Sequence, residues 1–256
     1  MSLQIKYSTE IAKELGKIAV YLPGEIIHVG DIIKFPYGKA RFLKKEAPVG
    51  AFTKISSLKN LDVNYLEDDN SGNKHSYKFS SKNSVKNITS ANTKLDLADE
   101  LPSTDGEITL QFTSEGSIYF HALECYKKQI SDIAGLENEI ISKSKVLLWD
   151  NTYLVTSVTY ASNALIMQSR SKNSEITLAG NVNGLKNSGI DISASTTLNI
   201  KSQNGDFFIK DWSRDVSVFM ELMKFEKETF QAINKNVHTK EFKGRLVPVE
   251  INSLII

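Results

Sequence analysis

At 256 residues the chain has material for one large domain or two small ones, and its 41% hydrophobic and 24% charged residues are ordinary for a globular protein. A net charge of +1 excludes a global field drawing it toward nucleic acid or acidic lipid, so any such attraction must come from local patches. The single cysteine, Cys125, excludes an internal disulfide and fits a reducing cytosol, and no apolar run approaches the roughly 18 residues of a membrane helix.

The first residues, MSLQIKYSTEIAKELG, carry charges throughout and lack an apolar core, so no signal peptide is expected and the chain is expected in the cytoplasm. Leu3, Ile5, Ile11 and Leu15 fall loosely on one face, which predicts a short helix or extended lead-in ending at Gly16. Short apolar runs cut by Pro23-Gly24 and Gly30-Asp31 then read as two or three strands joined by turns. Residues 34–54 interleave Lys34, Lys39, Arg41, Lys44 and Lys45 with Phe35, Tyr37, Phe42 and Phe52. That composition suits either a solvated loop with aromatic anchors or a patch for lipid headgroups, where cations attract and aromatics sit at the interface.

The run Glu67-Asp68-Asp69-Asn70-Ser71-Gly72 reads as an acidic loop. From 77 to 97 apolar side chains (Tyr77, Phe79, Val85, Leu95, Leu97) alternate with Lys78, Lys82, Lys86 and Lys94, predicting a long strand with a basic face and a thin apolar one. After a loop at 98–106, residues 107–120 read as its hairpin partner, with a bulge near Gly116. Leu123, Ile130, Ile133, Leu136 and Ile140 recur at helical spacing, so one or two helices are expected over 121–145. His121 and Cys125 would then lie four apart on a helix, a weak metal pair with no third ligand in view.

Tyr153 to about Gln168 is the clearest element: β-branched and aromatic residues at period two, with no Gly or Pro until Gly180, predict an unusually long strand. Two more alternating segments follow, Ile176–Val182 and Ile190–Ile200. Residues 215–237 place Val218, Leu222, Phe225, Phe230 and Ile233 on one side of an expected helix. The chain ends on an apolar run, which is expected to dock on the body as a strand or extended segment. These elements predict an α+β fold with a twisted, mainly antiparallel sheet, long hairpins and flanking helices. No nucleophile elbow, P-loop, dinucleotide fingerprint or paired-histidine motif occurs, so neither an enzyme nor a cofactor is expected. No nucleic-acid module is present either.

The string WDNTYLVTSVTYAS, residues 149–162, resembles a strand of the gasdermin pore-forming domain of pattern N-x-Y-V-V-T-E-V, with Asn151, Tyr153, Leu154, Val155, Thr156 and Val158 at the matching places. The order of parts over roughly 20–237 resembles that family too: FTKISSLKNLDVNY before a first hairpin at 77–120, and TTLNIKSQNGDFFIKDW (196–212) as a returning strand. The resemblance implies a domain over 1–237 and a tail over 238–256. It implies a latent protein of regulated cell death or defence that binds acidic membrane lipids and assembles with itself into a β-barrel ring. The protein would be cytoplasmic when inactive and at the membrane when activated. It would resemble the compact bacterial or fungal members, but with no cysteine near its N-terminus the lipid modification of bacterial members does not carry over. Candidate lipid-binding residues are Lys39, Arg41, Lys44, Lys45, Lys78, Lys82 and Lys86. A candidate inhibitory tail comprises Leu246, Val247, Leu254 and Ile255 behind Lys243-Gly244-Arg245, a small basic site expected to be open to an activating protease. The alternative is a soluble β-rich binding or scaffold protein that acts through its hairpins.

Overall fold

The computed structural model describes residues 2–22, 25–36, 48–82, 84–88, 94–95, 107–143, 151–180, 198–213, 215–229 and 242–251. In chain order they form α1 (Leu3–Leu15), β1 (Ile18–Ala19), β2 (Asp31–Lys34), β3 (Thr53–Ser57), β4 (Glu67–Ser80), β5 (Val85–Ile88), β6 (Lys94–Leu95) and β7 (Glu107–Phe112). Then come β8 (Ile118–Ile130), α2 (Ile133–Ser142), β9 (Tyr153–Ser169), β10 (Ser174–Gly180), β11 (Leu198–Asn204), β12 (Phe207–Ser213), β13 (Val216–Thr229) and β14 (Phe242–Pro248). The fold is α+β and every strand pairing is antiparallel.

Strand β9 is the hub. Along one edge it pairs with β13 and then β12; along the other with β2 and then β8. Its β-branched composition suits burial on both faces, and Leu154, Val155, Val158, Ala161, Ala164 and Ile166 are fully buried. Among the described residues the strands make a nine-stranded sheet around β9 and a five-stranded one in the order β11-β10-β7-β5-β6.

Three apolar clusters hold these layers. One joins β2, α2 and β14 to the near half of β9 through Ile33, Phe35, Ile140, Tyr153, Leu154 and Leu246. In the second, Tyr7 and Ile11 of α1 cover Ile118, Phe120 and Ala122 of β8, Ala164 and Ile166 of β9, and Phe219 of β13. The third lies between the two sheets, where Val85, Leu110, Phe112, Ile176 and Leu178 meet Tyr119, Leu165, Met167 and Phe207.

Four expectations are corrected. The helix expected over 215–237 is strand β13 as far as Thr229, and the rest of that span lies outside the described residues. Val216 to Met220 are all buried, so burial on both faces leaves no alternation to read there, and register shifts after Ser217 and Glu221 disturb it further. Pairing to β9 on one edge and to β1 and β14 on the other decides in favour of the strand. The helices expected over 121–145 shrink to α2, whose N-cap Asp132 accepts the Gly135 N–H at 2.8 Å. Residues 121–130 continue β8, because they fill the slot between β4 and β9. The acidic run at 67–72 is the start of β4, not a loop. Asp69 and Asn70 sit opposite Lys128 and Lys127 of β8, and Asp69 pairs with Lys128 at 3.1 Å, so cross-strand charge offsets the poor strand propensity.

The fourth correction concerns the hairpin of 77–97 with 107–120. Its halves do pair, but the hairpin is folded in two: β4 and β8 lie in the first sheet, β5 and β7 in the second. The basic row therefore does not run along one face.

Candidate functional site

Among the described residues four chain crossings link the two sheets: Ser81–Ser84 between β4 and β5, Thr113–Ser117 between β7 and β8, Arg170–Asn173 between β9 and β10, and Gly205-Asp206 between β11 and β12. They bond to one another, so all four lie along a single fold line. Gly116 N–H donates to Ser169 O at 2.7 Å and Ser169 N–H to Ser117 O at 2.9 Å. Arg170 N–H donates to Asp206 O at 2.7 Å, Thr113 N–H to Ser84 O at 2.8 Å, and Ser81 N–H to Ile118 O at 2.9 Å.

Serine dominates this line. Ser81, Ser117, Ser169 and Ser174 are buried, an environment where a hydroxyl is tolerated only if bonded. Ser81 Oγ accepts the Ile118 N–H at 2.9 Å, and Ser117 Oγ donates to Ser114 O at 2.7 Å. Ser169 Oγ donates to Ser171 O and lies 3.1 Å from Ser174 Oγ, while Ser171 Oγ accepts the Asp206 N–H at 3.0 Å. Short hydroxyl side chains satisfy backbone groups locally where a ladder is interrupted, and so permit the bend. Gly116 turns through the left-handed region at φ 78°.

The central pair keeps its register across the line. Ile118 lies opposite Gln168 in the first sheet and Phe112 opposite Ser174 in the second, the same separation along both strands. The second sheet is two-sided: Val85, Leu110, Phe112, Ile176 and Leu178 form a buried apolar row, while Thr109, Gln111, Glu175 and Thr177 alternate with them and are only half-buried. Thr109 and Thr177 hydroxyls meet across the polar face at 2.9 Å.

The three described candidate cations are scattered by the fold. Lys78 lies on β4 opposite His121; the residue is exposed, yet desolvation of its ammonium holds its pKa below the usual lysine value. Lys82 sits in the β4–β5 crossing and pairs with Glu14 of α1 at 2.9 Å. Lys86 is half-buried on β5 in the second sheet. Lys39, Arg41, Lys44 and Lys45 lie outside the described residues, whereas Phe35 and Phe52, their aromatic neighbours in sequence, are core residues stacked edge-on at 6.2 Å.

In the tail, Lys243-Gly244-Arg245 is not an open linker but part of β14, paired with Glu228, Lys227 and Glu226 of β13. Leu246 is buried opposite Phe225, and its N–H donates to Glu137 Oε1 of α2 at 2.6 Å. Val247 is half-buried opposite Lys224, and Leu254 and Ile255 lie outside the described residues.

His121 and Cys125 lie on a strand rather than a helix, and Cys125 packs among the residues under α1. Burial pushes the Cys125 thiol up to about 12 and His121 down to about 4, the latter with help from the Lys78 charge. Among the described residues no three His, Cys, Asp or Glu side chains are grouped to hold a metal ion, and no helix is long and apolar enough to cross a membrane. The feature the sequence reading missed is the fold line itself. Its signal was present as three serine clusters, 80–84, 114–117 and 169–174, each interrupting an alternating run.

No family model matches the chain, and no curated protein sequence matches it. Among solved structures it is similar to the gasdermin A3 membrane pore, with 10% identity and a TM-score of 0.33 over 94% of this chain and 99% of that one. It is also similar to a bacterial gasdermin from Bradyrhizobium tropiciagri, with 12% identity and a TM-score of 0.35 over 86% of each chain.

Proposed function

We propose that the protein is a latent pore-former of regulated cell death or defence, which on activation binds acidic membranes and assembles with copies of itself into a β-barrel. The observation that carries this reading is the folded-over central pair: β7–β8 and β9–β10 keep one register through the bend, and the second sheet bears one apolar and one polar row. A membrane strand needs about 9–11 residues with alternating lipid and lumen faces. Glu107 to Ile130 laid straight at about 3.3 Å per residue is far longer than the ~30 Å hydrocarbon layer. In the compact state the apolar row is covered by Tyr119, Leu165, Met167 and Phe207; unfolded outward, the same row faces lipid. Because an unpaired strand edge in lipid is costly, single hairpins do not suffice and several copies must close the sheet.

Activation acts through the tail on this reading. The tail holds the resting state through the docking of its described start, Leu246 above all, on β13 and α2, and an activating protease cuts near Lys243-Gly244-Arg245. As these residues are paired in β14, the site requires local fraying of an edge strand before cleavage. Lys39, Arg41, Lys44, Lys45, Lys78, Lys82 and Lys86 supply attraction to anionic headgroups, in a form that salt screens.

Leakage of dye from phosphatidylserine-containing vesicles tests the reading, comparing the full chain with one ending at Arg245. The expected result is leakage by the shortened chain, lost on neutralising Lys78, Lys82 and Lys86 and weakened by salt. A shortened chain that stays folded and leaves acidic vesicles intact removes the proposal in favour of a soluble binding protein.

A further inference from the structure

Helix α1 is fastened to the fold line at four points along its length. At its start, Gln168 Nε2 of β9 donates to Leu3 O at 2.9 Å and also reaches Gly116 O at 3.4 Å. One turn on, Lys6 Nζ donates to Glu115 O at 2.7 Å, and its stem lies so close over Gly116 that a Cβ there would fall 2.7 Å from Lys6 Cδ. A turn later Glu10 accepts from the Ser81 hydroxyl, which itself accepts the Ile118 N–H. In the last turn Glu14 pairs with Lys82 at 2.9 Å.

The polar contacts thus reach three places on the line: the β4–β5 crossing, the β7–β8 crossing and the end of β9. The apolar side of the helix, Tyr7 and Ile11, lies on the face of β8 and β9 opposite to the one the second sheet covers. The central pair is therefore held between α1 and the folded-back sheet, with the polar contacts concentrated where the strands bend. If α1 served only to cover apolar surface, its polar side chains would have no reason to converge on the crossings.

We infer that α1 is a latch on the fold line, so that straightening of the two hairpins requires release of its contacts with Glu115, Ser81, Lys82 and Gln168. This deepens the pore-forming reading and rests on it for its consequence, though the latch itself is a property of the resting fold. The C-terminal strand β14 is not among the residues that touch the crossings through these bonds, so the latch and the tail are separate controls.

Charge exchange on the full chain tests it. Glu14→Lys sets two cations against each other at the β4–β5 crossing, and adding Lys82→Glu restores an opposite pair with the signs reversed. Lys6→Ala removes the contact to Glu115 by a different route. Native-state hydrogen exchange is read at Thr113, Gly116, Ser169 and Arg170, whose amides bond across the line, with Val249, bonded to Leu222 O at 2.9 Å, as the distant control. An exposed ion pair contributes modestly, so Glu14→Lys and Lys6→Ala are each expected to speed exchange at the line about fivefold to tenfold, leaving Val249 unchanged. The double variant is expected to return to the wild-type rate. Unchanged exchange in both single variants overturns the latch, and so does loosening that the reversed pair fails to correct. Leakage of phosphatidylserine vesicles by the same variants ending at Arg245 separates the two ideas: a loosened line without leakage from these shortened chains sustains the latch and removes the pore-forming reading.

Discussion

His121 makes the fold acid-sensitive in a way that can be isolated. The side chain is 5% exposed on β8, two residues from Tyr119 and opposite Leu165, with Lys78 across the strand pair on the other edge. Its Nδ1 has no hydrogen-bond partner, and burial with the neighbouring ammonium lowers its pKa from 6.5 to about 4. The folded state therefore binds fewer protons than the unfolded chain between those values, so stability rises with pH through that window and falls as pH drops. The stabilisation is complete above about pH 6.5 and is lost progressively down to about pH 4. At about 1.36 kcal/mol per unit, the shift amounts to roughly 3 kcal/mol, a large share of a typical 5–15 kcal/mol. Urea unfolding of wild type and His121→Leu from pH 7 to pH 4 measures it. Carboxylates titrate in both proteins, so the difference between the two curves isolates the histidine. The wild type is expected to lose about 3 kcal/mol more than the variant across the window. Parallel curves would refute the argument, since they would mean the imidazole is already accommodated as a cation.

Two other substitutions probe packing. At Gly244 on β14 a Cβ would fall 2.3 Å from Phe225 Cζ, so Gly244→Val is expected to push β14 off β13 at a cost of about 1–3 kcal/mol, read from the urea midpoint. Phe112→Ala empties a fully buried site between the sheets, where the ring lies 5.1 Å edge-on from Phe207. It is expected to cost about 3–5 kcal/mol and to raise hydrogen exchange in β7 and β10 before β9 and β13 respond.

How much of this was legible in the sequence depended on whether local pattern and tertiary demand agreed. For β9 they agree: β-branched residues at period two are what a strand buried on both faces requires, and Tyr153–Ser169 follows the alternation read from residues alone. For α1 they agree as well, since Gly16 takes the left-handed conformation that ends the helix. In β13 they conflict. Met, Glu, Lys and Leu favour a helix, and the spacing of Val218, Leu222 and Phe225 satisfies one, but the open edge of β9 requires a strand. The same conflict misplaced β8 from His121 onward. The lysine row failed for a different reason: period two continues from Tyr77 to Val85, while the chain turns over at Ser81–Ser84, and alternation carries no information about bends in the strand axis. The three serine clusters mark those bends only once the crossings are seen to meet.

Because β9 bonds to β13 and β12 on one edge and to β2 and β8 on the other, the protein has a characteristic order of assembly during synthesis. Strands β2 and β8 leave the ribosome before the strand that joins them to each other, and at about 5–20 residues per second they wait several seconds for it. When β9 does emerge, its free edge waits again for β12 and β13. A nascent chain with long, unpaired and partly apolar edges is a target for holding chaperones and for pairing with its own copies. Expression yield should therefore depend more on chaperone supply and translation speed than on the equilibrium stability of the finished fold.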